Sequence, residues 1–276
     1  MRHEEGFFQG VRGIRIYRQS WLPDGEPKAV LLIVHGLGEH CGRYANVVNH
    51  LVPLGYALYG LDHVGHGKSD GAREYVERFE DFTDTLDAYR GMVRQAQPDK
   101  PLILYGHSLG GLISTYYLLD HQAGLAGAVL SAPLSRVPEN VSVMTITLGR
   151  VLSRLAPKAG VVPVDAEAVS RDPAVVQAYV NDPLVFHGKT PARLAAEMMR
   201  AMQRVMAEAN KVTLPVMIFQ GSADRLDPGD AKFLYDAVSS ADKTLKIYEG
   251  LFHETHNEPE CAMVLHDMEA WLEAHV

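Results

Sequence analysis

Residues 102–115 read LILYGHSLGGLIST, and the reading of this stretch decides the fold. Leu102, Ile103, Leu104 and Tyr105 form a short continuous apolar run, as expected of a strand buried on both faces. Gly106-His107-Ser108-Leu109-Gly110 follows without a spacer, and Leu112, Ile113, Tyr116 and Leu119 then recur at helical spacing. A serine between two glycines at a strand-to-helix turn is a nucleophile elbow. The turn strains the serine backbone, and a side chain at either glycine would collide with the neighbouring strand and helix. In return the Ser108 hydroxyl stands clear of the sheet at a helix N-terminus, where backbone N–H groups stabilise developing negative charge. The pentapeptide alone also fits an ordinary strand–helix turn; the strand before it and the helix after it favour a nucleophile.

On the N-terminal side, residues 7–20 alternate as one or two antiparallel edge strands would, with Ile14, Ile16 and Tyr17 as candidate strand residues. Residues 29–34 (AVLLIV) predict a buried strand, followed by the loop His35-Gly36-Leu37-Gly38-Glu39-His40. A helix over about 44–54 and a strand over 56–61 come next. The Gly/Asp/Ser-rich loop 62–71 is irregular. Phe79, Phe82, Leu86, Tyr89, Val93 and Ala96 then mark an amphipathic helix. On the C-terminal side, a strand over 126–130 completes an alternation of strands and helices, the signature of a mostly parallel sheet covered on both faces.

The alternation stops at Ser131-Ala132-Pro133. From about 134 to 206 the sequence reads as helices and loops only, broken by Pro138, Pro157, Pro163, Pro173, Pro183 and Pro191. Strand, helix, strand and helix resume over 215–220, 230–239, 244–248 and 258–274. The expectation is a single α/β domain over 1–276, carrying a helical cap inserted after the strand that ends near Ser131.

Composition narrows the class. With 47% hydrophobic and 22% charged residues, the 276-residue chain can bury a large core. Its 26 basic against 34 acidic side chains, a net charge of −8, argue against nucleic acid and against a membrane held by charge alone. Cys41 and Cys261 are too few for a disulfide framework and fit no metal spacing, which suggests free thiols in a reducing compartment. The opening MRHEEGFFQG lacks the apolar core of a secretory signal. A cytoplasmic location is expected.

A serine nucleophile needs a base, and the base an orienting acid, in the order Ser, Asp/Glu, His on loops after later strands. After the strand over 215–220 stand Asp224 and Asp227. Asp224 is preferred because it lies nearer the strand end, while Asp227, just before Pro228, suits capping of the following helix. After the strand ending at Tyr248 stand His253 and His256, with His253 again nearer the strand end. The backbone amides of Leu37 and Leu109 would form the oxyanion hole, with Gly36 and Gly38 leaving room for a substrate oxygen. Histidines 35, 40, 63, 66 and 107 show no metal-ligand spacing, and acyl transfer by serine needs neither metal nor cofactor. His35, His63, His66 and His107 are expected to bond loop backbones instead.

In chain order stand HGLGEHCGRY (35–44), LDHVGHGKSDG (61–71), GHSLGG (106–111), LSAPL (130–134), YVNDPL (179–184), GSADRLDP (221–228) and ADKTLKIYEGLFHETHNEP (241–259). Together they resemble the monoacylglycerol lipase family of α/β-hydrolases, of the Hydrolase_4 or serine aminopeptidase-like type. The resemblance runs nearly end to end and implies Ser108 as nucleophile, Asp224 as acid and His253 as base. It also implies Arg43, Tyr179 and His256 near the alcohol end of a lipid-ester pocket. Outside YVNDPL the insertion has no matching residues. Val141, Met144, Leu148, Val151, Leu152 and Leu155, widened by Val143 and Ile146, form one apolar helical face there. That face is expected either to pack on the main domain or to touch a lipid surface, with Arg150 and Arg154 close by. A short-chain esterase, a lysophospholipase or an aminopeptidase would share the same triad, and a non-catalytic binding protein would usually lack one of its members.

Overall fold

The computed structural model describes residues 1–137 and 141–276; Pro138 and the Val143 side chain, both named above, lie outside what is described. The strands are β1 (Arg2–Gln9), β2 (Arg15–Leu22), β3 (Ala29–Val34), β4 (Tyr56–Leu61), β5 (Leu102–His107), β6 (Gly127–Ser131), β7 (Gly160–Pro163), β8 (Lys189–Pro191), β9 (Val216–Gly221) and β10 (Lys243–Tyr248). The helices are α1 (Ala45–Leu51), α2 (Glu80–Ala96), α3 (Leu109–Leu118), α4 (Val143–Leu155), α5 (Pro173–Asn181), α6 (Ala192–Glu208), α7 (Asp230–Ala237) and α8 (Cys261–Glu273).

Eight strands form one sheet in the order β1-β2-β4-β3-β5-β6-β9-β10. From β4 to β10 neighbours run parallel, while β1 and β2 add an antiparallel edge. Strands β3, β4, β5 and β9 are buried at every position, which is why their sequences read as unbroken apolar runs. Separate apolar layers cover the two faces: α2, α3 and α6 contribute to one, and α1 and α8 to the other.

The chain moves from β3 to β4 on one side and then returns past β3 to β5. The loops leaving β3 and β5 therefore emerge side by side, with Val34 paired to Gly106. Such a reversal of direction leaves a crevice at the carboxyl ends of the strands, where ligands collect.

Between β6 and β9 the chain leaves the sheet. This excursion was expected to hold helices and loops only, but it also contains the antiparallel pair β7–β8. The pair escapes a search for buried runs because all of β7 is exposed and β8 spans three residues. The excursion is tied back to the sheet end at several points. Phe186 N–H donates to the Gly38 carbonyl at 2.8 Å, Glu254 N–H donates to Val169 O at 2.8 Å, and His40 Nε2 lies 2.9 Å from Asp182 Oδ2.

The glycines of the elbow have measurable steric reasons. A Cβ at Gly110 would sit 1.8 Å from the Val34 carbonyl, and one at Gly106 would sit 2.6 Å from the Gly110 carbonyl. Both obstacles are backbone and cannot rotate away. Gly91, inside α2, has nothing within 4 Å of such an atom. In urea denaturation, Gly110→Ala is expected to lose at least ~3 kcal/mol or to fail to fold. Gly91→Ala is expected to gain about 0.5–1 kcal/mol. Equal effects from the two would contradict the packing described.

Candidate active site

Ser108 sits between β5 and α3 with φ 53° and ψ −119°, a strained conformation for a residue with a side chain. The strain is held from several sides. Ser108 N–H donates to Ser131 O at 3.0 Å, and its carbonyl accepts from Leu112 N–H and Leu134 N–H, each at 3.1 Å. The residue thus stands at the N-cap of the buried ten-residue helix α3, whose first amides have no partner within the helix. Among the described residues, neither the Leu109 nor the Leu37 N–H donates a hydrogen bond, and none reaches the Ser108 hydroxyl.

The loop carrying Leu37 is brought to Ser108 by Gly36, where a Cβ would lie 3.4 Å from both the Ser108 Cβ and the His107 ring. Two buried groups fix that loop. Gly36 N–H donates to Glu39 Oε1 at 2.6 Å, and His63 N–H donates to His35 Nε2 at 2.9 Å. Gly38 has φ +73°, which suits a residue without a side chain.

Asp224 and His253 come together at the ends of β9 and β10. Gly221 makes this possible, because a Cβ there would lie 2.1 Å from the Leu251 carbonyl; the loop after β10 crosses directly over the end of β9. Ala223 N–H donates to Leu251 O at 3.0 Å and locks the two loops together. His253 Nδ1 then lies 2.9 Å from Asp224 Oδ2. Gln220 Nε2 donates to the same oxygen at 2.9 Å, and Leu226 N–H donates to Asp224 Oδ1 at 2.9 Å. Burial disfavours a charge on Asp224, but the His253 charge and these hydrogen bonds outweigh it and hold the carboxyl below its usual range. Burial also opposes the His253 imidazolium, and Asp224 overcomes it, raising His253 to about 9.

His256 lies elsewhere. Its ring stacks on Tyr44 at 5.1 Å, and burial lowers it to about 4. Arg43 is committed to two carboxylates: Nη1 donates to Glu39 Oε2 at 2.8 Å and to Glu254 Oε1 at 2.7 Å, and Nη2 donates to Glu254 Oε2 at 2.8 Å. The guanidinium also lies 4.7 Å from the centre of the Tyr179 ring. The structure therefore sets Arg43 in a buried ionic cluster with Glu39 and Glu254, against the Tyr179 ring, while His256 packs on Tyr44. Glu254, held by the bidentate fork, stays below its usual range despite burial, while burial pushes Glu39 up.

Glu39, Glu254 and Gln220 were not singled out from sequence. Glu39 stands inside HGLGEHCGRY and Glu254 next to His253, so their positions within the quoted blocks were the available signal. Asp227 was expected to cap the helix beginning at Asp230. Instead Gly229 occupies the cap position of α7, and Asp227 Oδ2 lies 3.9 Å from His253 Nε2. The loop histidines behave largely as expected. His35 bonds Gly36 O, His63 bonds His35 O, and His66 bonds Val64 O, but His107 bonds the Ser131 hydroxyl at 3.1 Å rather than backbone.

An apolar cavity of about 700 Å³ lies between α4 and α6, lined by Leu37, Ile146, Leu152, Met198, Met199 and Met202 among others. On the α4 face, Leu148 and Leu155, 62% and 82% exposed, line this cavity, while Met144, 71% exposed, lies outside its lining. Among the described residues, no helix is long and apolar enough to cross a membrane.

Comparison with known proteins gives the family. Residues 25–260 match the model of the Hydrolase_4 family, described as serine aminopeptidase, S33. The chain is 39% identical to a monoacylglycerol lipase of Mycolicibacterium smegmatis over 273 residues, covering 99% of this chain and 98% of that one. It is 36% identical to a monoglyceride lipase of Rattus norvegicus, covering 94% and 87%. The crystal structure of the Paleococcus ferrophilus monoacylglycerol lipase superposes with a TM-score of 0.83 at 30% identity, covering 95% of this chain and 99% of that one. The fold, the family match and these full-length relatives together establish that the chain belongs to the Hydrolase_4 family of α/β-hydrolases.

Proposed function

We propose that the protein is a monoacylglycerol lipase, hydrolysing the ester between one fatty acyl chain and glycerol through Ser108, His253 and Asp224. The observation that carries this reading is an apolar cavity lined in part by Leu37, whose loop packs against the strained serine at Gly36. Ser108 attacks the carbonyl while His253 Nε2 takes its proton, and Asp224 holds the imidazole and favours its cationic form. The Leu37 and Leu109 amides, free of other acceptors among the described residues, stabilise the tetrahedral oxyanion. His253 then protonates the departing glycerol oxygen, and water repeats the cycle on the acyl-enzyme. No cofactor enters these steps.

A cavity of this volume lies within the roughly 300–1,000 Å³ of small-molecule sites. Each methylene buried in it is worth about 0.8 kcal/mol, so a long chain gains far more there than a butyryl group. That favours a long-chain substrate over the short-chain esterase reading. A lysophospholipase would need a cation for the headgroup phosphate, and Arg43 is already matched by Glu39 and Glu254. A neutral glycerol end suits the site better, with Arg43, Tyr179 and His256 framing it and Arg43 acting through Glu39 on the oxyanion loop. The full-length monoacylglycerol lipase relatives point the same way.

The excursion between β6 and β9 would serve as a cap over this site. The exposed Met144 side of α4 would rest on a lipid surface, from which a poorly soluble substrate enters the cavity.

On monooleoylglycerol, Ser108→Ala is expected to abolish fatty-acid release, and Asp224→Asn to lower kcat by about 10⁴-fold. Activity surviving Ser108→Ala would refute the mechanism. Met144, exposed and outside the cavity lining, tests the lipid contact separately. Burying its side chain is worth ~1.5–3 kcal/mol. Met144→Glu should therefore weaken sedimentation with phosphatidylcholine vesicles about tenfold or more, leaving p-nitrophenyl butyrate turnover unchanged. Undiminished vesicle binding would remove that face from the lipid contact.

A further inference from the structure

The His253 imidazole has a carboxylate at each nitrogen. Asp224 Oδ2 lies 2.9 Å from Nδ1, and Asp227 Oδ2 lies 3.9 Å from Nε2. Nε2 is the nitrogen that receives the Ser108 proton in the mechanism above, so the second carboxylate stands beside the proton in transit. The backbone aims Asp227 there. Its N–H donates to Asp224 Oδ1 at 3.3 Å, and its carbonyl accepts from Asp230 N–H at 3.4 Å and from the Gln220 side chain. Pro228 further restricts its conformation. Among the described residues, no hydrogen bond reaches the Asp227 carboxyl oxygens, and the side chain is only 13% exposed.

We propose that Asp227 is a positioning residue that sets the pH at which His253 becomes a competent base, an inference that rests on the acyl-transfer reading of Ser108, His253 and Asp224.

The neighbouring charges are otherwise answered. Asp224 is engaged by Nδ1, Gln220 and Leu226 N–H. Glu254 is locked on Arg43, and Asp230 is paired with Arg136. The His107 ring, 4.8 Å from that of His253, is held neutral by burial and by the adjacent histidines. His256 is likewise kept neutral by burial. Among the described residues, His253 is the cation that answers the Asp227 carboxylate.

An anion at this distance favours the imidazolium over the neutral ring. Burial pushes Asp227 up to about 7 and Asp224, with help from Asp227, lifts His253 to about 9. The two groups therefore titrate as a pair across neutral and mildly alkaline pH. The direction for catalysis follows. His253 must be neutral to accept the serine proton, and an ionised Asp227 delays that to higher pH. Removing the Asp227 charge lowers the basicity of His253 and brings the competent state to lower pH.

The test is the pH profile of kcat/KM for p-nitrophenyl butyrate, a soluble ester free of interfacial effects. It is run for wild type, Asp227→Asn, Asp227→Glu and Ser108→Ala. The rate of Ser108 modification by an alkyl fluorophosphonate is followed over the same pH range, as a readout of the base that needs no turnover. The acid limb of Asp227→Asn is expected about one pH unit below that of wild type, or about tenfold faster at a given pH on that limb. Asp227→Glu, which keeps the charge, should return the limb toward the wild-type position. Asp227→Val gives the same reading if the asparagine variant does not fold. A limb of the uncharged variants that coincides with wild type, or lies at higher pH, overturns the proposal. If that limb is unmoved while Ser108→Ala is inert, the Asp227 inference alone fails. If Ser108→Ala remains active, the acyl-transfer reading fails and this inference falls with it.

Discussion

Everything at this sheet end depends on how closely the start of α3 packs on the end of β3. A carbonyl of β3 occupies the space a side chain at Gly110 would need. That contact forces the turn at Ser108 into a left-handed backbone conformation, costing of order 1–3 kcal/mol, which the surrounding sheet and helix must hold. The same approach sets the Leu109 amide beside the loop that carries Leu37. One steric fact thus positions Ser108 at the head of α3 and brings the loop carrying Leu37 against it.

The second organising feature is electrostatic. Arg43, with Glu39 and Glu254, links the loop after β3 to the loop that holds His253. Buried ion pairs are weak evidence for stability, since removing two charges from water offsets much of their attraction. Here the cluster specifies where two loops meet. Glu39 Oε1 also accepts from Gly36 N–H and from the Tyr44 hydroxyl, so the loop carrying Leu37 and the loop carrying His253 share one fixed point. The excursion joins the same region through Tyr179 and Asp182, which explains why YVNDPL is the part of it with a recognisable sequence.

The parallel core was legible because strands buried on both faces leave unbroken apolar runs. The runs over 29–34 and 56–61 coincide with β3 and β4. Ser108 and Asp224 each follow such a run, whereas β10 before His253 is mostly half-buried or exposed, so His253 could be reached only by its place after Asp224 in chain order. What escaped were features with no periodicity. The β7–β8 pair is short and exposed, and Asp227 is a lone loop carboxylate whose direction depends on Gln220, Asp224 and Pro228 together. The α4 face was legible as apolar but not as unpacked, since an amphipathic pattern says which residues share a side and not what covers that side.

The central claim is that the strained serine serves a cavity built for one long acyl chain on a neutral glycerol. The most direct test is a competition in which monooleoylglycerol, dioleoylglycerol, lysophosphatidylcholine and p-nitrophenyl butyrate are offered together and each product is quantified. Relative kcat/KM then reads differential transition-state binding. The account predicts that monooleoylglycerol exceeds every competitor by about tenfold or more, equivalent to ~1.4 kcal/mol. Preference for butyrate or for lysophosphatidylcholine would contradict it.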